Sequence, residues 1–156
     1  MTSSKELTVT TPSDLEIVMT RVFDAPRELV FRAHSSCEHT SKWWGRGNPL
    51  DCEMDFRPGG KYRFAEHADD GTHVFFGEYR EITAPEKIVN TFEYEGWPGK
   101  VIVETAVFTE QDGKTTLTST SRFDSMEDRD GMLASGMADG AGQSYEALDE
   151  LLASWR

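Results

Sequence analysis

The groups in this chain with reactive chemistry are few: four histidines, two cysteines and an excess of carboxylates. His67 and His73 flank the turn Asp69-Asp70-Gly71 and could meet across a hairpin, with Asp69 as a third metal ligand. That spacing matches no metal motif, and polar residues at hairpin tips are mostly solvated, so no metal is expected. Cys37 and Cys52 lack the short spacing of a thiolate metal site. In a reducing compartment two buried thiols are expected there rather than a disulfide. Neither cysteine has a histidine at a diagnostic spacing, and Cys37 and His39 are neighbours in sequence without being a dyad. No Gly-x-Ser-x-Gly elbow exists, and Gly59-Gly60 joins two strands, which gives no phosphate cradle. No catalytic residue and no cofactor are therefore expected. Asn90, Glu104 and Thr105 are the polar candidates for the interior of a sheet. An inward Glu104 would need a partner such as Arg63 or Arg122, or a raised pKa. The expectation is that it points to solvent.

What remains is apolar and aromatic. Trp43 and Trp44 are adjacent, so one can fill a core while the other faces something else. Alternation along extended segments puts Cys52, Met54 and Phe56 on one face, Tyr62 and Phe64 on one face, and Phe75, Gly77 and Tyr79 on one face. Most of these aromatics must pack the core. An apolar pocket with a few polar groups would bind a small molecule. The candidate contacts are Trp43, Trp44, Met54, Tyr62, Phe64 and Phe75, with Tyr79, Phe92, Met137, Ala141 and Tyr145. Gly77 in mid-strand marks a bulge or leaves space under the sheet.

These residues need elements to hold them. Residues 1–13 read as a flexible arm, with a short strand at 7–10 as an alternative; residues 14–156 read as a single domain. Leu15 to Phe23 alternates as a strand. A short helix follows, with Asp24 as its cap and Pro26 in its first turn. A second short helix, capped by Ser35 or Ser36 and ended by Gly45, carries the tryptophans. From Asp51 to Phe123 the period is two, in segments near 51–57, 60–67, 72–82, 87–95, 100–109 and 114–123. Their connectors are short turns, which means an antiparallel meander. From Ser125 the period returns to about 3.6. Ser125 with Asp128 resembles a capping box. Leu133, Met137, Ala141, Tyr145, Leu148, Leu152 and Trp155 make one stripe of a long helix. Gly136 and Gly140 let a ligand or the sheet approach that helix, or cap a break near Gly140. The fold class is α+β: a curved antiparallel sheet wrapped around a long C-terminal helix, with two short helices after the first strand.

Bulk properties bound the function. The 156 residues suit one domain, and 37% apolar with 11% aromatic content suits a packed core. A net charge of −12 disfavours nucleic acid and anionic membranes as partners. No apolar run is long enough to insert in a membrane, and the polar start MTSSKELTVTTPSD is no signal sequence, so a cytoplasmic protein is expected.

The segments RVFDAPRELVFRAHSSCEHTSKWWG, DFRPGGKYRF, GEYREITAPEKIVNTFEYEG, TLTSTSRF and GMADGAGQSYEALDELL resemble the helix-grip superfamily of START domains, the birch-pollen allergen and polyketide cyclases. Within it the chain resembles the family named after the C-terminal domain of the heat-shock protein 90 ATPase activator, over roughly Ser13 to Ala153. The resemblance implies a helix-grip fold whose cavity lies between the last helix and the sheet. It also implies that the tryptophan-bearing helix covers the mouth, with one indole plugging the core and the other lining the entrance or wall. One departure stands out: Gly136-Met137 and Gly140 match the family, but Ala141 stands where tryptophan is usual. A wider cavity is the expectation. The activator works within a larger two-domain protein, so a client-clamping role is not expected of this single domain. The expected partner is a small apolar or amphipathic molecule bound without covalent chemistry. The alternatives are a chaperone-accessory or stress-related interaction protein, a protein partner or homodimer, and a cyclase- or hydrolase-type enzyme using cavity polar groups.

Overall fold

The computed structural model describes residues 6–155; residues 1–5 of the expected arm and Arg156 lie outside the described residues. Eight strands run β1 (Thr8–Ser13), β2 (Glu16–Phe23), β3 (Leu50–Met54), β4 (Lys61–Ala68), β5 (Gly71–Thr83), β6 (Lys87–Tyr94), β7 (Ile102–Gln111) and β8 (Lys114–Arg122). Four helices, α1 (Arg27–Arg32), α2 (Cys37–Thr40), α3 (Met126–Ala134) and α4 (Met137–Ser154), complete the chain. The strands form one antiparallel sheet in the order β1-β2-β8-β7-β6-β5-β4-β3. The last part of the expected arm is thus a strand, with Thr8 opposite Thr20. The two short helices accordingly follow the second strand rather than the first.

Alternation fixes the inner face. On β2, Ile17, Met19, Arg21 and Phe23 are buried while their neighbours are half-exposed. The buried arginine on that face is matched from the helix side. Arg21 donates to both carboxylate oxygens of Asp149 on α4, at 3.3 and 2.5 Å, and to the Val22 carbonyl at 2.7 Å. Its guanidinium also lies over the Phe23 ring. Removing one partner from a buried pair of this kind costs about 3–5 kcal/mol, so the pair clamps α4 to the sheet. Tyr145, Leu148 and Leu152 on α4 complete the seam, at helical spacing.

Three local expectations are corrected. Pro26 rather than Asp24 stands at the N-cap of α1, in extended geometry suited to proline. α2 ends at Thr40, so Trp43 and Trp44 sit in the turns that follow rather than on a helix. The long C-terminal helix is two helices: Ser125 caps α3 through the Asp128 N–H, and Gly136, with φ of 84°, breaks the chain before α4. That left-handed position is one glycine takes without strain. Leu133 is therefore exposed, off the stripe expected of one continuous helix.

The cysteines are also not two thiols. Cys37 on α2 and Cys52 on β3 are joined by a disulfide, with Cα atoms 5.6 Å apart. The fold sets α2 against the sheet edge and supplies the separation a disulfide needs.

Candidate functional site

The core comes in two parts. One gathers Phe23, Val30, Phe31, Trp43, Phe108, Leu148 and Leu152 around α1 and α4. The other holds Ile17, Met19, Ile102 and Phe123, with Met132 and Met137 packed on it. Members of both line a cavity of about 870 Å³ between the sheet and α3–α4. That volume lies in the range of small-molecule sites, about 300–1,000 Å³.

Ten of the eleven candidate contacts line this cavity: Trp43, Trp44, Tyr62, Phe64, Phe75, Tyr79, Phe92, Met137, Ala141 and Tyr145. Met54 does not; it is packed at the edge of the first core part, on the short outer strand β3. The two indoles divide the work. Trp43 is buried, donates from Nε1 to the Ala33 carbonyl at 2.8 Å, and stacks on Tyr145. Trp44 packs on Phe64 and Phe75, with both ring centroids at 5.0 Å. Trp43 is therefore the core plug and Trp44 the wall.

The exposed lining residues mark the mouth. They are Arg46, Asp70, Gly131, Ser135 and Gly136, from the turn before β3, the β4–β5 turn, α3 and the α3–α4 junction. Two contacts frame it. Arg46 lies against Gly140, where an added Cβ would be 3.0 Å from its Cδ, and its backbone N–H donates to the Ser144 hydroxyl at 3.0 Å. Trp97 packs on Gly131, while Lys100 pairs with Asp128 at 3.1 Å. The small residues of the helical segment thus serve close approach by Arg46 and Trp97.

The cavity's polar groups form a row across the sheet. In register, Tyr79 lies opposite Asn90, Asn90 opposite Glu104, and Glu104 opposite Ser121. Glu104 points into the cavity, which corrects the expectation of a solvent-facing carboxylate. Its parity is that of Ile102 and Phe108, both buried. The Ser121 hydroxyl donates to it at 3.3 Å. Burial pushes the Glu104 carboxyl above its ordinary range, against hydrogen bonds from Asn90 and Ser121 that pull it down. Neither Arg63 nor Arg122 pairs with it: Arg63 reaches Glu53 and Arg122 reaches Glu16. Asn90 also donates to the Tyr62 hydroxyl at 3.2 Å, and that hydroxyl donates to the Thr91 carbonyl at 2.5 Å. Tyr62 reaches across β5 because Gly77 stands opposite it; a Cβ there would lie 2.0 Å from the Thr91 oxygen. Burial raises the Tyr62, Tyr79 and Tyr145 phenols, so all three stay protonated at neutral pH.

Basic groups in the lining are already engaged. Arg46 donates to Glu66 at 2.8 Å, and Asn48 donates to the same oxygen at 2.8 Å. His73 bridges the Tyr94 hydroxyl and Asp70, both at 2.8 Å. His34 sits between Trp43 and Phe108, and its Nδ1 donates to the Val30 carbonyl at 2.8 Å. Desolvation lowers its pKa to about 4, so the ring is neutral. His67 and His73 do not meet: His67 contacts Thr72 and Asp51. Among the described residues no group of acids, histidines and cysteines is placed to hold a metal. No helix among them is long and apolar enough to cross a membrane.

His34, Arg46, Glu66, Trp97 and Ser121 are lining residues outside the candidate set. Ser121 was findable, since Phe123 shares its parity; the mouth residues sit in turns, where no periodicity assigns a face.

Known proteins carry the same architecture. A Rhodobacter sphaeroides protein superposes with a TM-score of 0.86 at 25% identity, covering 97% of this chain and 100% of its own. A Mycobacterium smegmatis protein does so at 0.85 and 25%, with the same coverage of 97% and 100%. CalU16 from Micromonospora echinospora shares the fold at 0.69 and 19% identity, over 97% of this chain and 77% of its own. No curated protein matches the chain. The sequence between residues 24 and 153 matches one family over most of its length, and the chain belongs to it: the family described as Activator of Hsp90 ATPase homolog 1-like protein.

Proposed function

We propose that this protein binds a small, mainly apolar molecule in the cavity between α4 and the sheet. The observation that carries the reading is the cavity itself, about 870 Å³ and lined mainly by aromatic side chains, with a short polar row across the sheet and paired charges beside it. Packed interiors leave few voids larger than a water molecule, so a space of this size calls for an occupant. Ala141 supports the same reading. It lines the cavity at a position where a large side chain would project inward from α4.

Thermal unfolding against aromatic, sterol and fatty-acid panels tests this. A ligand at about 100 times its dissociation constant adds roughly 2.7 kcal/mol. For a domain of this length that raises Tm by roughly 5–10 °C. Ala141→Trp should reduce the shift by filling the space while leaving the unliganded protein folded. Equal shifts in the two proteins would place the ligand elsewhere.

Glu104 favours a second reading, proton transfer on a bound substrate. A carboxyl raised by burial and facing a cavity is what a general acid or base would show. Conversion of a bound compound by the wild type, abolished in Glu104→Gln, would support it. Unchanged compound recovered after long incubation would leave binding alone.

A further inference from the structure

Granted that binding reading, we infer that the cavity selects ligands whose apolar body ends in a hydrogen-bond donor, a hydroxyl or an amine, and rejects those that end in a carboxylate. The argument is one of matching. Three acids line the cavity: Glu66, Asp70 and Glu104. The first two are answered, Glu66 by Arg46 and Asn48, Asp70 by His73. Glu104 has no cation: among the described residues no lysine, arginine or histidine is within salt-bridge reach of it, and its neighbours in register are Asn90 and Ser121. A carboxyl keeps acceptor positions on its two oxygens, about four of them when ionised. Ser121 and Asn90 leave part of that capacity facing the cavity.

No cationic side chain of the lining waits for an anion. Arg46 is committed to Glu66, His73 to Asp70 and Tyr94, and His34 is neutral and turned to a backbone carbonyl. The Tyr62 hydroxyl spends its proton on Thr91. A ligand carboxylate would therefore meet no cation and lie desolvated beside the Glu104 carboxyl, which is the costly arrangement. A ligand hydroxyl or ammonium would instead answer the one lining acid that lacks a cation. The walls fit an aromatic body, since Trp44, Phe75 and Phe92 present stacked or edge-on rings.

Naphthol, naphthoate and naphthalene share one body and differ at the tip. Their dissociation constants can be measured by NMR titration of the isotope-labelled full chain at neutral pH. The expected order is naphthol tightest, naphthalene next and naphthoate last, with naphthol about tenfold or more tighter than naphthoate. Glu104→Gln, which keeps the shape and adds a donor, should bring naphthol and naphthoate to within about threefold of each other. Naphthoate binding as well as naphthol in the wild type would overturn the selection while leaving the cavity as a binding site. Naphthol no tighter than naphthalene would remove the donor from the argument. An unchanged ratio in Glu104→Gln would remove Glu104 from it. If naphthalene, naphthol and naphthoate all fail to perturb the cavity resonances, the binding reading falls and this inference with it.

Discussion

At the scale of single residues, His34 shows what the cavity does to a titratable group. Its ring is wedged between Trp43 and Phe108, with one hydrogen bond to Val30. Water that would stabilise the imidazolium is largely replaced by hydrocarbon, so the folded pKa falls to about 4 from 6.5. The sign follows directly. Between those values the unfolded chain holds a proton that the folded one refuses, so stability rises with pH. The contribution is fully present above the unfolded value and lost as pH falls toward the folded one. It amounts to up to about 3 kcal/mol. Urea midpoints from pH 7 to pH 4 should therefore fall less steeply in His34→Gln than in the wild type. Parallel curves would mean that the ring is already solvated. Glu104 carries the residue-scale lesson about sequence. Its inward direction was readable from Ile102, Ala106 and Phe108, which share its parity on β7 and line the cavity or the core. Judged by charge alone, a lone glutamate goes to solvent; judged by register, it cannot.

At the scale of elements, strands were legible and caps less so. A period of two survives any tertiary context, because a one-residue slip would turn the whole apolar set outward. The helix break at Gly136 was legible only as a choice among glycines. Gly131, Gly140 and Gly142 remain helical, and the two of them that face a neighbour do so for packing. Cys37 and Cys52 were the least legible pair, since nothing local says that α2 lies on β3. Their bond closes a loop of 15 residues that contains both tryptophans and Arg46. It therefore ties the turn carrying the cavity wall to the sheet edge. Loop-closure entropy for that length gives about 3 kcal/mol. The double variant Cys37→Ser, Cys52→Ser should lose stability of that order in urea, and thiol titration of the unreduced, denatured wild type should find no free thiol. Such bonds persist in oxidising surroundings, which bears on the expected cytoplasmic setting.

On the scale of the whole molecule, the sheet and α4 meet through a buried ion pair and an aromatic seam, and the space they enclose has one polar row. The fold class and family were legible because the pattern β, short helices, meander, helix covers nearly the whole chain. The mouth was not legible, since it is assembled from turns far apart in sequence. The strands beneath the cavity have a history to tell. Gly77 lets the Thr91 carbonyl come within 2.0 Å of where a Cβ would stand, and lets the Tyr62 hydroxyl cross β5 to meet it. Any side chain at 77 pushes β6 away, and Tyr62 then loses its acceptor and Asn90 its orientation. Positions 62 and 77 can therefore drift only together. Among descendants of one ancestor, tyrosine at the first should travel with glycine at the second, and lineages that abandon the glycine should abandon the tyrosine within the same branch.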